Sequence, residues 1–315
     1  MKRRGRTIQL AEAVLVAAAL ALIPLLPRRA VVSLARALAA LAFRLSRRDR
    51  RIAMANVELA FGASRTAAEK QAIVRESFGT MALVLLDVFW FQRRTAARLR
   101  RHVSFDPSYY ACYVPYAPCI VVTAHYGNWE VEGLVSALDG YPLHSVAMPL
   151  KNRYVDAMLA HARNVTGQKV VPRRGAVKSL LRVLRDGGRT AFLMDQNTLP
   201  AEGGQFVEFF GLPVPVSGAA EMLAQRTGAP VVFAYSAIDD AGHYTVYCQP
   251  PLFPGAEGTG ITQQTTGMLE ALVRRSPGAW LWMYKRWKSV PPGADGSRYP
   301  YYARPLDENK QGEGT

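Results

Sequence analysis

The sequence predicts an α/β fold, with a mixed central β-sheet flanked by helices and preceded by helices that associate with a membrane. Three observations lead to this prediction. Short apolar runs of β type alternate with helical periodicity after residue 118, and one of these runs ends directly before a group of polar side chains. Residues 1–60 combine apolar stretches with a strong basic excess.

Composition limits the class of protein. The 315 residues suffice for one large α/β domain with appendages. The three cysteines have no CxxC spacing, which argues against a disulfide framework or a zinc cluster and suits a reducing, cytoplasmic location. The net charge is +15, and residues 1–60 hold twelve Lys/Arg against three Asp/Glu. Because this excess coincides with apolar residues, it favours an anionic membrane surface over nucleic acid as the partner.

The N-terminal segment begins with basic residues at 2–6 and continues as an apolar stretch over 8–27, interrupted by Gln9, Glu12 and Pro24. Its length would just span a bilayer, but arginines also follow it, so its orientation stays open. A signal peptide is the alternative, although no convincing small-residue cleavage site follows. We expect an uncleaved anchor or a helix that dips into one leaflet.

Residues 30–45 are predicted to form an amphipathic helix, in which Arg36 and Arg44 can reach lipid headgroups. An ordinary core helix is the alternative. The apolar positions at helical spacing are Val31, Leu34, Leu38, Leu41 and Leu45.

The sequence predicts three units. Residues 1–50 are an N-terminal membrane unit, residues 51–290 an α/β domain, and residues 291–315 a polar, mobile tail. A capping box at Thr66 and Glu69 opens a helix that ends near Trp90. Strands are predicted at 118–124, 143–148, 170–171, 190–194, 231–235 and 243–248, the last antiparallel to its neighbour. Helices are predicted at 128–138, 152–165, 175–185, 217–226 and 261–275. Residues 198–215 read as a loop.

The sequence VVTAHYGNWE at 121–130 contains the strongest candidate site. A strand that ends at Ala124, a turn at Gly127 and a helix capped by Asn128 would bring His125 and Glu130 together. A carboxylate at one imidazole nitrogen leaves the other nitrogen free as a base, which suits deprotonation of a hydroxyl that attacks a carbonyl. The spacing of His125 and Glu130 alone also fits a histidine without a catalytic role at the end of a strand, followed by an ordinary acidic residue in the first turn of a helix.

The sequence lacks the motifs of several other classes of functional site. There is no G-x-S-x-G elbow for a hydrolase, so a serine nucleophile has no obvious position. No H-E-x-x-H or similar ligand set supports a metal, and no G-x4-G-K-[ST] or G-x-G-x-x-G supports a nucleotide cofactor. We therefore expect neither a metal nor a cofactor.

TAHYGNWE resembles the H-x4-D/E motif of glycerolipid-type acyltransferases, in the version of the lipid A biosynthesis (lauroyl/myristoyl) acyltransferase family. The segments RIAMANVELAFG, MDQN, EFFGLPVPVSGAAEMLAQRTGAPVV and WMYKRWK resemble further blocks of that family in the same order. This resemblance implies a glycerol-phosphate-acyltransferase-like fold at the bacterial inner membrane, with the catalytic domain on the cytoplasmic side.

The resemblance also implies acyl transfer from an acyl-carrier-protein or CoA thioester to a hydroxyl of a membrane glycolipid, such as a lipid A precursor. His125 would be the base and Glu130 its partner. Amides at Gly127 and Asn128, or a nearby arginine, could stabilise the oxyanion. Arg163 would bind a phosphate or polarise the acyl carbonyl, or else be a surface charge. Asp195 and Gln196 would line the site, or else form strand-end hydrogen bonds.

Alternative functions remain at this point. The acceptor could be a lysophospholipid, a phosphatidylinositol mannoside or an aminolipid, and the chain could be a non-catalytic lipid-binding relative of the same fold. The tryptophan-rich segment around Arg286 could anchor the protein at the interface, but we expect its tryptophans in the core.

Overall fold

The fold is taken from a computed structural model of the chain, which describes residues 6–147, 152–172, 175–255 and 259–306. Within these residues, helices α1 to α11 are Arg6–Leu22, Arg28–Leu45, Arg47–Phe61, Ala67–Trp90, Thr95–His102, Pro107–Cys112, Trp129–Leu138, Arg153–Asn164, Ala176–Arg185, Ala219–Thr227 and Ile261–Arg275. Strands β1 to β11 are Val103–Phe105, Cys119–Thr123, Leu143–Ala147, Lys169–Pro172, Arg189–Leu193, Gly204–Phe209, Leu212–Ser217, Val231–Ile238, Tyr244–Cys248, Ser289–Val290 and Arg304–Pro305.

Seven strands form the central sheet in the order β1-β9-β8-β2-β5-β3-β4. Strand β2 is parallel to β5 and β8, and β3 is parallel to β4 and β5. Strand β9 is antiparallel to β8. The mixed α/β sheet is therefore confirmed, including the antiparallel neighbour of β8.

Strand β2 is buried on both faces, so its side chains enter two cores. Ile120 and Val122 contribute to one, with helices α9 to α11 and the tryptophans after α11. Cys119 and Val121 contribute to the other, with α2, the end of α4, and α7. A central parallel strand covered by helices on both sides reads as a continuous apolar run, as the sequence does here.

The predicted helix starts have the expected caps. Thr66 and Glu69 form the capping box of α4, with the Thr66 amide donating to Glu69 Oε2 at 2.7 Å. Asn128 caps α7, since its Oδ1 accepts from the Val131 amide at 3.1 Å. Both contacts supply acceptors to amides that have no partner within the first helical turn.

Two predictions about the later chain are wrong. Residues 198–215 are not a simple loop, because β6 and β7 pair there as an antiparallel hairpin through Phe209↔Leu212. The region after residue 290 packs on the domain as far as residue 306, since Tyr299 and Tyr302 are buried and the Tyr302 hydroxyl donates to Asn56 Oδ1. Residues 307–315 lie outside the described part of the chain.

Candidate active site

The carboxyl ends of the neighbouring parallel strands β2 and β5 carry the candidate catalytic groups. Strand β2 ends at Thr123 and β5 ends at Leu193, and these two residues are register partners. His125 therefore follows one strand and Asp195 follows the other, at the same edge of the sheet. This edge is where open α/β sheets place their ligands.

His125 contacts Asp195 through two hydrogen bonds. The imidazole Nδ1 lies 2.8 Å from Asp195 Oδ1, and the His125 amide donates to Asp195 Oδ2 at 2.9 Å. The indole of Trp280 donates to the same Oδ2 at 2.9 Å. Because the carboxylate oxygens are held by these donors, the ring is oriented with Nε2 pointing away from Asp195.

The imidazole Nε2 faces the exposed side of the site. Gln196 Nε2 lies 3.5 Å from it, which is too long for a firm hydrogen bond. The ring of Trp129 lies edge-on to the imidazole, with centroids 4.5 Å apart. Nε2 is thus left without a strong partner and can accept a proton from a substrate.

The electrostatics of the pair favour an imidazolium next to an ionised carboxylate. Burial disfavours the imidazolium, but the charge of Asp195, its hydrogen bond and the charge of Glu130 outweigh it and raise the pKa of His125. Burial also disfavours ionisation of Asp195, but the charge and hydrogen bonds of His125 and the Trp280 indole lower the pKa of that carboxyl. His125 is accordingly the stronger base of the two.

Glu130 is paired with Arg163 and does not contact the imidazole. Arg163 Nε donates to Glu130 Oε2 at 2.9 Å, and Nη2 donates to Oε1 at 2.5 Å. The predicted contact between His125 and Glu130 is therefore wrong: the turn places Glu130 on the first turn of α7, facing α8. The imidazole–carboxylate contact exists, with Asp195 as the carboxylate.

The turn between the two motif residues depends on Gly127. Its φ is +61°, and a Cβ there would lie 2.0 Å from the backbone oxygen of Ser236. Any other residue would be strained by the backbone angle and would clash with strand β8. The turn at Gly127 is as predicted.

The amides of Gly127 and Asn128 are engaged within the protein. The Gly127 amide donates to the Ala279 carbonyl at 3.0 Å, and the Asn128 amide donates to Ser236 Oγ at 2.8 Å. Neither is therefore free to bind an oxyanion, contrary to the expectation. These residues shape the turn instead of donating to substrate.

Residues 279–286 connect both halves of the site, a role that the sequence did not suggest. The Leu281 amide donates to the His125 carbonyl at 3.0 Å. On the other side, the Tyr284 hydroxyl accepts from the Asn197 amide at 3.0 Å, and Arg286 Nη1 donates to Asn197 Oδ1 at 2.6 Å. This segment holds the strand-end turns of His125 and Asp195 in one arrangement. The tryptophans in this segment and directly after it are buried, as expected: Trp280, Trp282 and Trp287.

A second polar cluster lies beneath the turn at Gly127 and Asn128. Asp87 is buried and accepts from Arg28, from the Tyr244 hydroxyl at 2.5 Å and from Asn128 Nδ2 at 3.3 Å. Arg28 follows the N-terminal apolar segment directly, so this cluster joins the start of α2 to the cap of α7.

Metal ligation finds no support in the geometry. Among the described residues, no group of three or more His, Cys, Asp or Glu side chains is arranged to hold an ion.

Comparison with known proteins gives the family. The profile described as "Bacterial lipid A biosynthesis acyltransferase" matches residues 1–289. The chain belongs to this family. It is therefore an acyltransferase, of the type that acts on lipid A or another glycolipid.

Individual relatives are distant. A lipid A biosynthesis palmitoleoyltransferase of Escherichia coli is 25% identical over 256 residues, covering 79% of this chain and 81% of that protein. A lipid A biosynthesis myristoyltransferase of the same organism is 24% identical over 255 residues, covering 79% and 78%. A phosphatidylinositol mannoside acyltransferase of Mycolicibacterium smegmatis is 26% identical over 172 residues, covering 53% and 56%.

Proposed function

We propose that this acyltransferase is membrane-associated and moves a fatty acyl group from an acyl-carrier-protein or CoA thioester to a hydroxyl of a lipid A precursor or related glycolipid. His125 is the general base. The observation that carries this proposal is the 2.8 Å contact of Nδ1 with Asp195, which directs Nε2 towards the exposed side chain of Gln196, 3.5 Å away.

The chemistry is a direct transfer. His125 Nε2 removes the proton of the acceptor hydroxyl as the oxygen attacks the thioester carbonyl, and the C–O bond forms. Collapse of the tetrahedral intermediate breaks the C–S bond, and the imidazolium returns its proton to the leaving thiolate. Asp195 stabilises the imidazolium between these two steps.

The oxyanion needs a donor other than the Gly127 and Asn128 amides. Gln196 is placed for this role, because its side-chain amide lies beside His125 Nε2 and is exposed. Arg163 uses Nε and Nη2 on Glu130, so its Nη1 is the group available for a phosphate or carbonyl of the substrate. Glu130 holds that guanidinium in place and adds negative charge near His125.

The N-terminal unit supports a location at a membrane. Residues Thr7–Leu25 are long and apolar enough to cross a membrane by length and composition. We infer association with the bacterial inner membrane, with the domain on the cytoplasmic side, where acyl-carrier protein and CoA thioesters are available. The basic surface suits either acidic donor.

A phosphatidylinositol mannoside is the second candidate acceptor. It is favoured by the relative from M. smegmatis, which is 26% identical and bears that name. Both candidates share a sugar hydroxyl on a membrane lipid, so the same site would serve either.

The test combines the purified protein, an acyl thioester and lipid extracts, followed by mass spectrometry. We expect one lipid class to gain the mass of one acyl chain, and the gain to disappear with His125→Ala. Transfer retained in full by His125→Ala would refute the mechanism. Thioester that is never consumed with any acceptor, by a folded and membrane-bound sample, would favour a lipid-binding protein instead.

A further inference from the structure

Helix α1 has one face against the domain and one face exposed along its whole length. The residues that are partly or fully covered recur every three or four positions: Gln9, Glu12, Ala13, Val16, Ala19, Leu20 and Ile23. The exposed large apolar residues are Ile8, Leu10, Val14, Leu15, Leu22 and Leu25. A covered stripe at helical spacing means that the helix lies flat along the domain.

Hydrogen bonds attach both ends of this helical segment to the domain. Near its start, Asn152 Nδ2 donates to the Gln9 carbonyl at 2.8 Å and to Glu12 Oε2 at 2.9 Å. Just after its end, Arg98 Nη2 donates to the Pro24 carbonyl at 2.6 Å. Residues 9 and 24 are separated by roughly 22 Å along a helix axis. A helix that left the domain to cross a bilayer would be held at one end only.

The charge distribution agrees with this geometry. Glu12 is the only ionisable residue between positions 7 and 27, and its carboxylate points towards Asn152 on the covered side. A carboxylate is costly within hydrocarbon, so this placement leaves the exposed face wholly apolar. Exposed Arg29 follows the far end of the segment, and exposed Arg93 and Arg94 lie close enough to Arg98, which donates to Pro24, to act on its charge. An apolar face beside cations is typical of a helix at the surface of an anionic membrane.

Helix α2 adds a second exposed apolar stripe. Leu38, Leu41 and Leu45 recur at helical spacing and are exposed, while Val31 and Phe43 are buried. The amphipathic helix expected at 30–45 is thus present, with most of its leucine stripe facing outward.

We propose that α1 lies in the plane of the membrane surface, with its Ile8, Leu15 and Leu22 side in the lipid and its opposite side docked on the domain, and that it does not cross the bilayer. This proposal rests on the membrane association included in the proposed function. Asn152, which receives α1, is also the N-cap of α8, the helix that carries Arg163. The Glu130–Arg163 end of the site is thereby held near the lipid surface, where a lipid acceptor resides.

Depth measurements distinguish the two arrangements. Ile8, Leu15 and Leu22 are each replaced by cysteine, one at a time, in a Cys112→Ser background, and are spin-labelled in vesicles of phosphatidylglycerol and phosphatidylethanolamine. These positions are seven residues apart and share one face. We expect all three labels at a similar depth of about 5–10 Å. The unsubstituted Cys112→Ser protein controls for labelling of the buried Cys119 and Cys248.

A crossing helix gives a different profile. The label at position 15 would lie near the centre of a hydrocarbon layer about 30 Å thick, and those at 8 and 22 would lie near its two edges. That result would overturn the proposal. Three labels that all remain in water would overturn it as well.

Sidedness provides an independent test in cells. Thr7→Cys, at the start of the apolar stretch, is compared with Ala201→Cys, an exposed position of the domain. Spheroplasts are treated with a membrane-impermeant maleimide before and after permeabilisation. We expect both cysteines to behave alike, whereas labelling of one position alone in intact spheroplasts would show a crossing helix. Neither experiment uses an acyl donor, so failure here and failure of the proposed acyl transfer are separable.

Discussion

The two residues of the H-x4-E motif have different partners. The side chain of His125 is 11% exposed and is fixed by Asp195 and by the segment at 279–286. The side chain of Glu130 is 14% exposed and pairs with Arg163, whose side chain is 31% exposed. The two motif residues therefore do not contact each other as one pair. The motif joins a histidine held by Asp195 to a glutamate held by Arg163, across the turn at Gly127.

In the proposed mechanism, this difference separates proton transfer from substrate positioning. The His125–Asp195 pair can move a proton, because its hydrogen bond fixes the tautomer and its charges favour the imidazolium. The Glu130–Arg163 pair can hold a charged or polar part of the substrate, because a bidentate guanidinium is rigid and one amino group stays free. Substitutions on the two sides should then differ in their effects on kcat, KM and pH dependence.

The largest effect is expected for His125→Ala, with a loss of about 10⁴-fold in kcat/KM, because the base is removed. His243→Ala is the matched control, since that histidine is exposed in the turn between β8 and β9. Steady-state rates with a saturating lipid acceptor measure both. A loss of activity with the control of the same size would contradict the assignment.

Asp195→Asn should lower kcat/KM by about 10³-fold and change its pH profile. The neutral imidazole is the active form, so kcat/KM rises as pH increases through the pKa of His125. Asp195 raises that pKa against the effect of burial. Without the carboxylate, burial dominates and the rise should move to lower pH. A rise that moves upward, or stays in place, would show that Asp195 does not act on the imidazole.

Much of this arrangement was accessible from the sequence. The apolar run of β2, the glycine and the capping asparagine predicted a strand, a turn and a helix, and the structure contains all three. The sequence predicts Asp195 and Gln196 at a strand end, and parallel neighbours bring such ends together. The MDQN segment after β5 therefore carried a usable signal for the carboxylate that contacts His125.

The choice of partner could not be made from the sequence. Whether an imidazole meets the acid five residues later or one seventy residues away depends on the path of the turn and on strand order. The pairing of Glu130 with Arg163 needs α7 and α8 to pack side by side. The hairpin of β6 and β7 was missed because its Pro and Gly content favoured a loop, and tertiary packing of Val214 and Val216 overrides that local preference.

Glu130→Gln should cost less than the changes at the His125–Asp195 dyad, about 10²-fold in kcat/KM, because Arg163 loses its fixed position near the substrate. Removal of this negative charge should also move the increase of kcat/KM to a modestly lower pH, since Glu130 contributes to the raised pKa of His125. Arg163→Lys keeps the charge but not the bidentate geometry and should mainly raise KM for the acceptor. Additive losses in the Glu130→Gln/Arg163→Lys double variant would contradict a functional pair.

Arg286→Met tests the buried cation behind the dyad, with an expected loss of roughly 10-fold. Burial lowers the pKa of Arg286 to about 10, and the charge of Asp195 opposes this fall. Removing a positive charge makes the imidazolium of His125 more favourable. The increase of kcat/KM with pH should therefore occur at higher pH, opposite to the shift in Asp195→Asn. Arg286→Lys should restore the profile in part. An unchanged profile in Arg286→Met, with only a lower melting temperature, would limit Arg286 to a structural role.

The last effect appears in stability and concerns Glu132, the other acid of the same helical turn. Glu132 is buried, accepts from Thr123 Oγ1 at 2.9 Å, and burial raises its pKa to about 8. The native state therefore keeps this proton at a pH where the unfolded chain has released it, and stability falls as pH rises from about 4.5 to 8, by at most about 1.4 kcal/mol per pH unit.

Glu132→Gln should remove this slope, because an amide keeps the hydrogen-bonding shape and does not titrate. Denaturant unfolding at pH 5 and pH 8 measures it, with the exposed Glu208→Gln as the matched control. If Glu132→Gln and the native protein lose stability equally between these pH values, Glu132 is ionised in the fold. Glu130, which pairs with an arginine, and Glu132, which is buried, would then both be ionised, and the contrast between them would be wrong.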